Sequence, residues 1–502
     1  MSGNNSRFCR RAARDFASAL RRALPFRPFI HLPRATLLSI LTFIKKLIAP
    51  NGQAESLTEA PQAESPQAGL PRVYGRSEHN VSRSQISDNA LKVLYRLKKA
   101  GFEAYLVGGC VRDLLLGREP KDFDVVTDAH PEQIRGVFRN CRLIGRRFRL
   151  AHIHFGQEII EVATFRALQD EENPGDRVLQ NGRILRDNVY GTIEEDAFRR
   201  DFSVNALYYN ITDFSVVDFV SGMDDHKASM MRLIGDPEKR YREDPVRMLR
   251  AVRFAVKLGF FIHPDSAEPI ARLAGLLREI PAPRLFDEVM KLMLSGYAVQ
   301  TFEQLRHYGL FAVLFPESER SLAREPDGFP LTFLAKSLEQ TDRRIDEGKP
   351  VAPYFLFAAL LWEPVRARAR KLIESGQNAI LAYQDAGNEI MTRQVRLIAL
   401  PKSIGMPMRE LWSLQPRFEM TQGGRAFRLL GHPRFRAAYD FLVLRAETGE
   451  ADPALADWWT RFQTASDAEQ KSMVRSGMRS PGRNRTRKRR SRGKSAPNAP
   501  VA

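Results

Sequence analysis

Apolar residues first fall into a regular pattern near residue 87. Ala90, Leu91, Val93, Leu94 and Leu97 recur at intervals of three and four, which predicts a helix, and Gly101 sits where its C-terminus would want glycine. From there to about Leu233, short apolar runs alternate with short helical stretches. Tyr105-Leu106-Val107, Phe123-Asp124-Val125-Val126, Ile153–Phe155 and Ile159–Ala163 read as strands, and Pro131 to Phe138 as a helix with proline in its first turn. The alternation predicts a mixed α/β unit. After Tyr241 the strand patterns nearly vanish. Val246–Leu258, Leu285–Leu294, Phe355–Leu361 and Arg434–Arg445 all carry helical spacing, and the cluster Pro316, Pro326 and Pro330 predicts a division of this helical half near residues 317–330.

The flanks lack any such pattern. Residues 50–83 are rich in Pro, Ala, Gln, Ser and Glu and read as a linker that cannot bury a core. From about Gly477 the chain turns to Arg, Ser, Gly and Pro, which predicts a disordered tail. With 502 residues, 43% hydrophobic and 27% charged, the chain as a whole is neither disordered nor fibrous and has length for several domains. Its formal charge of +19 is concentrated at the ends: +9 over residues 1–50 and +11 over residues 471–502, leaving the middle near neutral. Basic ends on a neutral body suggest a polyanionic partner, nucleic acid or an anionic membrane. The apolar run Leu37 to Ile48 is interrupted by Lys45 and Lys46 and is too short to span a bilayer. It could lie on a membrane surface or mimic a transit peptide, though a poorly ordered basic leader is the simpler reading. Cys9, Cys110 and Cys141 form no CxxC pair, which excludes a disulfide framework and a structural zinc site and points to a reducing, cytoplasmic setting.

Candidate chemistry begins at Leu106-Val107-Gly108-Gly109-Cys110-Val111-Arg112-Asp113. A strand running through two glycines into a helix lets backbone N–H groups approach a phosphate, and Arg112 could fork onto it. A tight connection would look the same. Next comes Asp122-Phe123-Asp124, where strand alternation puts both carboxylates on one face and Phe123 in the core. Two adjacent acids repel unless a hard cation lies between them, and Mg²⁺ takes such oxygen ligands. Glu161, on the predicted strand Ile159–Ala163, would complete a triad of acids if that strand lies beside the first. In Glu194-Glu195-Asp196-Ala197-Phe198-Arg199-Arg200-Asp201, paired arginines beside an acid could hold a triphosphate, or form a surface salt-bridge ladder. Finally, in Glu243-Asp244-Pro245-Val246-Arg247, Asp244 before Pro245 makes a good helix N-cap. Arg247, Arg250 and Arg253 step by three along one face, as a solvated basic face would.

In that order these strings resemble the class II nucleotidyltransferases of the DNA polymerase β superfamily, which include bacterial poly(A) polymerases and CCA-adding tRNA enzymes. The resemblance covers roughly residues 84–465, and Leu143 to Ile153, with Gly145-Arg146-Arg147-Phe148 inside it, looks like the element that marks the poly(A) polymerases. It implies an α+β fold: a head with a five-stranded mixed sheet and helices, an all-α neck and body, and a basic tail. The expected divisions are a leader and linker at 1–83, head at 84–236, neck at 237–322, body at 323–470 and tail at 471–502. By the same resemblance Asp122 and Asp124 are catalytic, metal-binding acids, and Glu161 and Asp201 further active-site acids. Gly109, Arg112, Arg200, Asp244, Arg247, Arg250 and Arg253 fall at nucleotide-binding positions. The implied activity is template-independent addition of AMP from ATP to RNA 3′ ends with Mg²⁺ or Mn²⁺. Asp244 and Arg247 could present an acceptor and a donor to the adenine edge. The expected partners are RNA, through body and tail, and RNA-degradation machinery, with no DNA, with membrane contact at most peripheral, and with the chain a monomer. The rival readings are a CCA-adding enzyme and a non-catalytic RNA-binding protein on the same fold.

Overall fold

The computed structural model describes residues 70–145, 149–167, 178–180, 183–186, 189–322 and 332–477. The leader, the last 25 residues and Arg146-Arg147-Phe148 of the poly(A)-polymerase-like element lie outside them.

The head is built on one sheet. Its strands are β1 (Arg72–Tyr74), β2 (Ala104–Val107), β3 (Asp124–Thr127), β4 (Cys141–Ile144), β5 (Leu150–Phe155) and β6 (Glu158–Thr164), and, after a separate hairpin of β7 (Val178–Gln180) and β8 (Arg183–Arg186), β9 (Leu207–Asn210) and β10 (Val216–Asp218). The order is β1-β10-β9-β2-β3-β6-β5-β4, eight strands where the resemblance implies five. Most neighbours are antiparallel, but β3 and β6 run parallel.

Two of the extra strands come from segments too short to signal by alternation. β1 is the clearest case, because it falls in the expected linker. Tyr74 is buried there beneath Arg72 and Lys227, whose cationic ends lie 4.8 and 5.4 Å from its ring centre. Order therefore begins before residue 83, and one aromatic anchor with three residues of strand pairing is enough to hold this end of the linker on the sheet edge.

Helix α1 (Asp88–Lys99) covers one face of the sheet. Ser87 caps it by accepting the Ala90 N–H, and Gly101, at φ 89°, follows its end. Ala90, Val93, Leu94 and Leu97 are fully buried, the three large ones contributing about 1.5–3 kcal/mol each. Helix α2 (Gly109–Leu115) follows β2 directly, and α3 (Pro131–Val137) and α4 (Ile193–Arg199) complete the parts of the head that matter for the site.

The helical half opens with α5 (Pro237–Glu243), α6 (Val246–Leu258) and α7 (Ala282–Met293) and continues to a last helix, Asp467–Ser476. One apolar core runs from Phe202 to Leu444, so the division expected near residues 317–330 does not divide it. Pro316 opens the helix Pro316–Leu322, whose Leu322 belongs to that same core, while Pro326 and Pro330 lie outside the described residues. A smaller core around Phe418, Trp458, Trp459 and Phe462 packs the C-terminal helices. Val474 is buried in it, and the Gln470 amide donates to the Phe462 carbonyl, so the expected tail is helical through Ser476. No helix among the described residues is long and apolar enough to cross a membrane.

Candidate active site

Between the start of β3 and the middle of α6 lies a cleft of about 1210 Å³. Gly108, Gly109, Arg112, Asp122, Asp124, Glu161, Arg200, Asp201, Arg250 and Arg253 all contribute to its wall. Asp244 and Arg247 do not.

Asp124 opens β3 and is the register partner of Glu161 on the parallel neighbour β6, so the pairing conditional in the sequence is present. Phe123 is buried, while Asp122 is exposed in a bend just before the strand rather than on it. The two aspartates thus share a cleft wall because the chain bends there, not through strict alternation. Burial first, then Glu161 and Asp122, push the Asp124 carboxyl up to about 6, with Arg200 opposing. Glu161 is half exposed, and its Oε1 lies 3.1 Å from Nε2 of His152 on β5.

Gly108 takes φ 80°, ψ −135°, a conformation that favours glycine. A methyl group placed on it would stand 3.7 Å from Arg200 Nη1 and 4.0 Å from Asp124 Oδ2. Backbone, guanidinium and carboxylate therefore converge on one small space.

The arginines are held from behind. Asp196, fully buried on α4, accepts two bonds from Arg199 and two from Arg200, and takes the Tyr208 hydroxyl as well. This is a buried clamp and not a surface ladder. Burial disfavours the Asp196 carboxylate, but Arg200 and Arg199 outweigh it and hold it well below the usual carboxylate range. Arg112, 3% exposed, forks onto Asp113 and donates to Asn205 Oδ1 at 2.6 Å.

On α6 the stepped arginines are not solvated either. Arg247 pairs with Glu243 at 2.9 Å, Arg250 donates to Asp201 Oδ2 through Nε at 2.7 Å, and Arg253 Nε faces Glu288 at 3.6 Å. Glu288, on α7, is itself bound by Lys291 at 2.9 Å. Asp201 is thereby committed to Arg250, which keeps it ionised against its burial. Asp244 caps α6 through the Val246 N–H and binds Arg284 at 2.7 Å. Direct contact of Asp244 and Arg247 with an adenine edge in the cleft requires these partners to yield.

Sequence reasoning missed Phe254, Glu288 and Asn205. Phe254 lies beneath three guanidiniums, those of Arg112, Arg250 and Arg253, at 5.5, 5.1 and 4.3 Å from its ring centre. Its position directly after Arg253 was the available signal, but an aromatic on an amphipathic helix ordinarily means core.

A sheet head carrying paired aspartates beside a glycine turn, facing an arginine-lined helix, is the arrangement that the resemblance to the nucleotidyltransferases implies. Comparison with known proteins narrows this. Residues 104–232 match the Poly A polymerase head domain, 259–322 the family described as Probable RNA and SrmB- binding site of polymerase A, and 375–494 the Polymerase A arginine-rich C-terminus. Poly(A) polymerase I of Escherichia coli O6:H1 is 50% identical over 462 residues, 90% of this chain and 97% of that protein. The CCA-adding enzyme of Lactobacillus helveticus is 38% identical, but over only 43% of this chain. In fold, the chain is similar to the Thermotoga maritima CCA-adding enzyme complexed with tRNA, with a TM-score of 0.54 at 20% identity over 82% of this chain and 91% of that one. The chain belongs to the bacterial poly(A) polymerase family.

Proposed function

We propose that this protein adds AMP units from ATP to RNA 3′ ends without a template and releases pyrophosphate. The observation that carries the reading is the convergence of Asp122, Asp124, the Gly108 turn and Arg200 on one cleft, in a chain of this family.

The acids fit a divalent metal ion. Two carboxylates two residues apart, one of them resisting ionisation because it is buried and because Glu161 and Asp122 crowd it, form a donor set that a hard cation satisfies. Asp122 and Asp124 would hold Mg²⁺ or Mn²⁺. When bound there, such an ion supplies charge stabilisation for an attacking hydroxyl and a leaving pyrophosphate.

The protein's own groups do the rest by placement. Arg200 and Arg112, fixed by Asp196 and Asn205, offer donors to the triphosphate oxygens. Arg250 and Arg253 close the opposite wall, and Gly109 leaves room for backbone approach. The primer 3′-hydroxyl oxygen attacks the α-phosphorus as the bond to the bridging oxygen of the β-phosphate breaks, and orientation in the cleft makes that step effectively unimolecular. Asp201 acts by holding Arg250, and Glu161 by adding to the acid cluster. RNA is the partner proposed for the helical half and the basic tail.

The test offers unstructured RNA with ATP alone, and tRNA lacking its end with CTP and ATP. Long A tails on the first substrate are the expected outcome. Addition that stops after C, C and A would instead make this a CCA-adding enzyme, and no ATP-dependent incorporation at all would leave a non-catalytic RNA-binding protein.

A further inference from the structure

A second cleft, of about 580 Å³, shares no residue with the first. It lies among the helices Thr332–Asp346, Pro353–Leu360 and Phe435–Glu447, outside the segment matched by the family described as RNA binding. Its volume is in the range of small-ligand sites.

Three features give it a chemistry. Five of its side chains are basic (Arg343, Arg344, Lys349, Arg434 and Arg436) against two acids, Glu347 and Asp440. Lys349 pairs with Glu347 at 2.8 Å, Arg436 with Asp440 at 3.1 Å and Arg434 with Glu410 at 3.2 Å, which leaves Arg344, donating to the Pro350 carbonyl, and Arg343, with no carboxylate within ion-pair distance among the described residues. Second, aromatic surface lines the same space. Tyr354 and Phe355 are half buried there, with the Arg434 guanidinium 5.5 Å from the Tyr354 ring centre. Third, Ser337, 2% exposed, contributes to the wall with a hydroxyl that has no hydrogen-bond partner. A buried hydroxyl without a partner costs roughly 1–3 kcal/mol, which a ligand oxygen would relieve.

From this convergence of uncompensated guanidiniums, an aromatic face and an unpartnered hydroxyl we infer that the second cleft binds a nucleotide, its phosphate on Arg343 and Arg344 and its base against Tyr354. Stacking on an aromatic with cations tracking the phosphate is how single-stranded nucleic acid is held without sequence preference. The nucleotide could belong to the RNA being extended or be free ATP, and the chemistry of recognition is the same. The inference rests on the RNA-extending reading for its biological sense, but its test does not depend on turnover.

The variants are Arg343→Gln/Arg344→Gln and Tyr354→Ala in the full chain, probed with a fluorescent 15-nucleotide oligo(A) by anisotropy and with ATP by equilibrium dialysis. Arg343, Arg344 and Tyr354 lie outside the active-site cleft, so AMP incorporation at saturating RNA and ATP stays unchanged. If the ligand is RNA, the double variant weakens oligo(A) binding about tenfold at low salt and flattens the log–log salt slope by about 0.7, the value for the one phosphate the pair holds. Tyr354→Ala weakens binding without changing the slope. If the ligand is free ATP, the parent chain binds two equivalents and each variant one. Unchanged oligo(A) affinity together with unchanged ATP stoichiometry would overturn the inference, including in favour of an acidic protein ligand. Failure of the parent chain to extend RNA would strike the proposed activity and leave these binding measurements standing.

Discussion

At Asp124, charge is placed against its own interest. Its carboxyl is pushed up to about 6 by burial and by the neighbouring acids, and that repulsion is relieved when the side chain is removed. Asp122→Ala and Asp124→Ala should therefore each lower AMP incorporation below about 1% of the parent, a loss of several kcal/mol in transition-state stabilisation, while the melting temperature stays level or rises. Retained activity well above that level would remove these residues from the metal site. Asp196 is the opposite case, an acid kept ionised by Arg200 and Arg199 despite full burial. Taking one partner from a buried ion pair costs about 3–5 kcal/mol, so Asp196→Asn should destabilise the head as well as slow incorporation. Its folded-state pKa is depressed, so its stabilisation is complete above the unfolded carboxyl value near 3.9 and is lost as pH falls below it. Thermal melts between about pH 5 and pH 3 should accordingly show a flatter acid limb in Asp196→Asn than in the parent. Equal limbs would mean that Asp196 is not the group being titrated.

Helix α6 shows what a single element can and cannot disclose. Its apolar stripe and its three arginines at intervals of three were legible, and so was the capping role of Asp244. What occupies the arginines was not, because Asp201 and Glu288 reach them from elements far apart in the chain. Strand β3 was legible too, whereas the bend that exposes Asp122 has no signature in alternation. Phe254 went unread for a related reason: its neighbours Arg250 and Arg253 are local, but Arg112 arrives from α2 only after folding. If three guanidiniums share this ring at roughly 0.5–1 kcal/mol each, Phe254→Ala should lower kcat/KM for ATP by about tenfold or more. The loss should fall mainly on KM for ATP, with circular dichroism unchanged. An unaltered KM would reduce Phe254 to a packing residue.

At the scale of the molecule, one apolar core joins the first neck helix to the residues around Phe441 and Leu444, and a smaller one packs the C-terminal helices. The basic charge beyond it is a separate matter, and the structure fixes where a clean separation can be made. Stopping the chain before residue 471 would strip Val474 from the C-terminal core and break the bond between the Gly423 N–H and the Val474 carbonyl. Stopping it after Gly477 leaves the last helix intact and still removes nine Lys and Arg residues with no acid among them. Such charges can bind RNA phosphates without reading sequence, and each neutralised phosphate on a single strand adds about 0.7 to the log–log salt slope. If a third of the nine engage, truncation after Gly477 should flatten the slope for oligo(A) binding by about 2 and weaken binding at low salt. The melting temperature should not move, and single AMP addition at saturating RNA should persist, because the acid and arginine cleft ends before residue 292. Tail growth should become distributive, visible as short, evenly lengthened products in place of a few long ones. A tail that serves only solubility predicts the same salt slope with and without it, so superimposable slopes would decide against RNA binding by these residues.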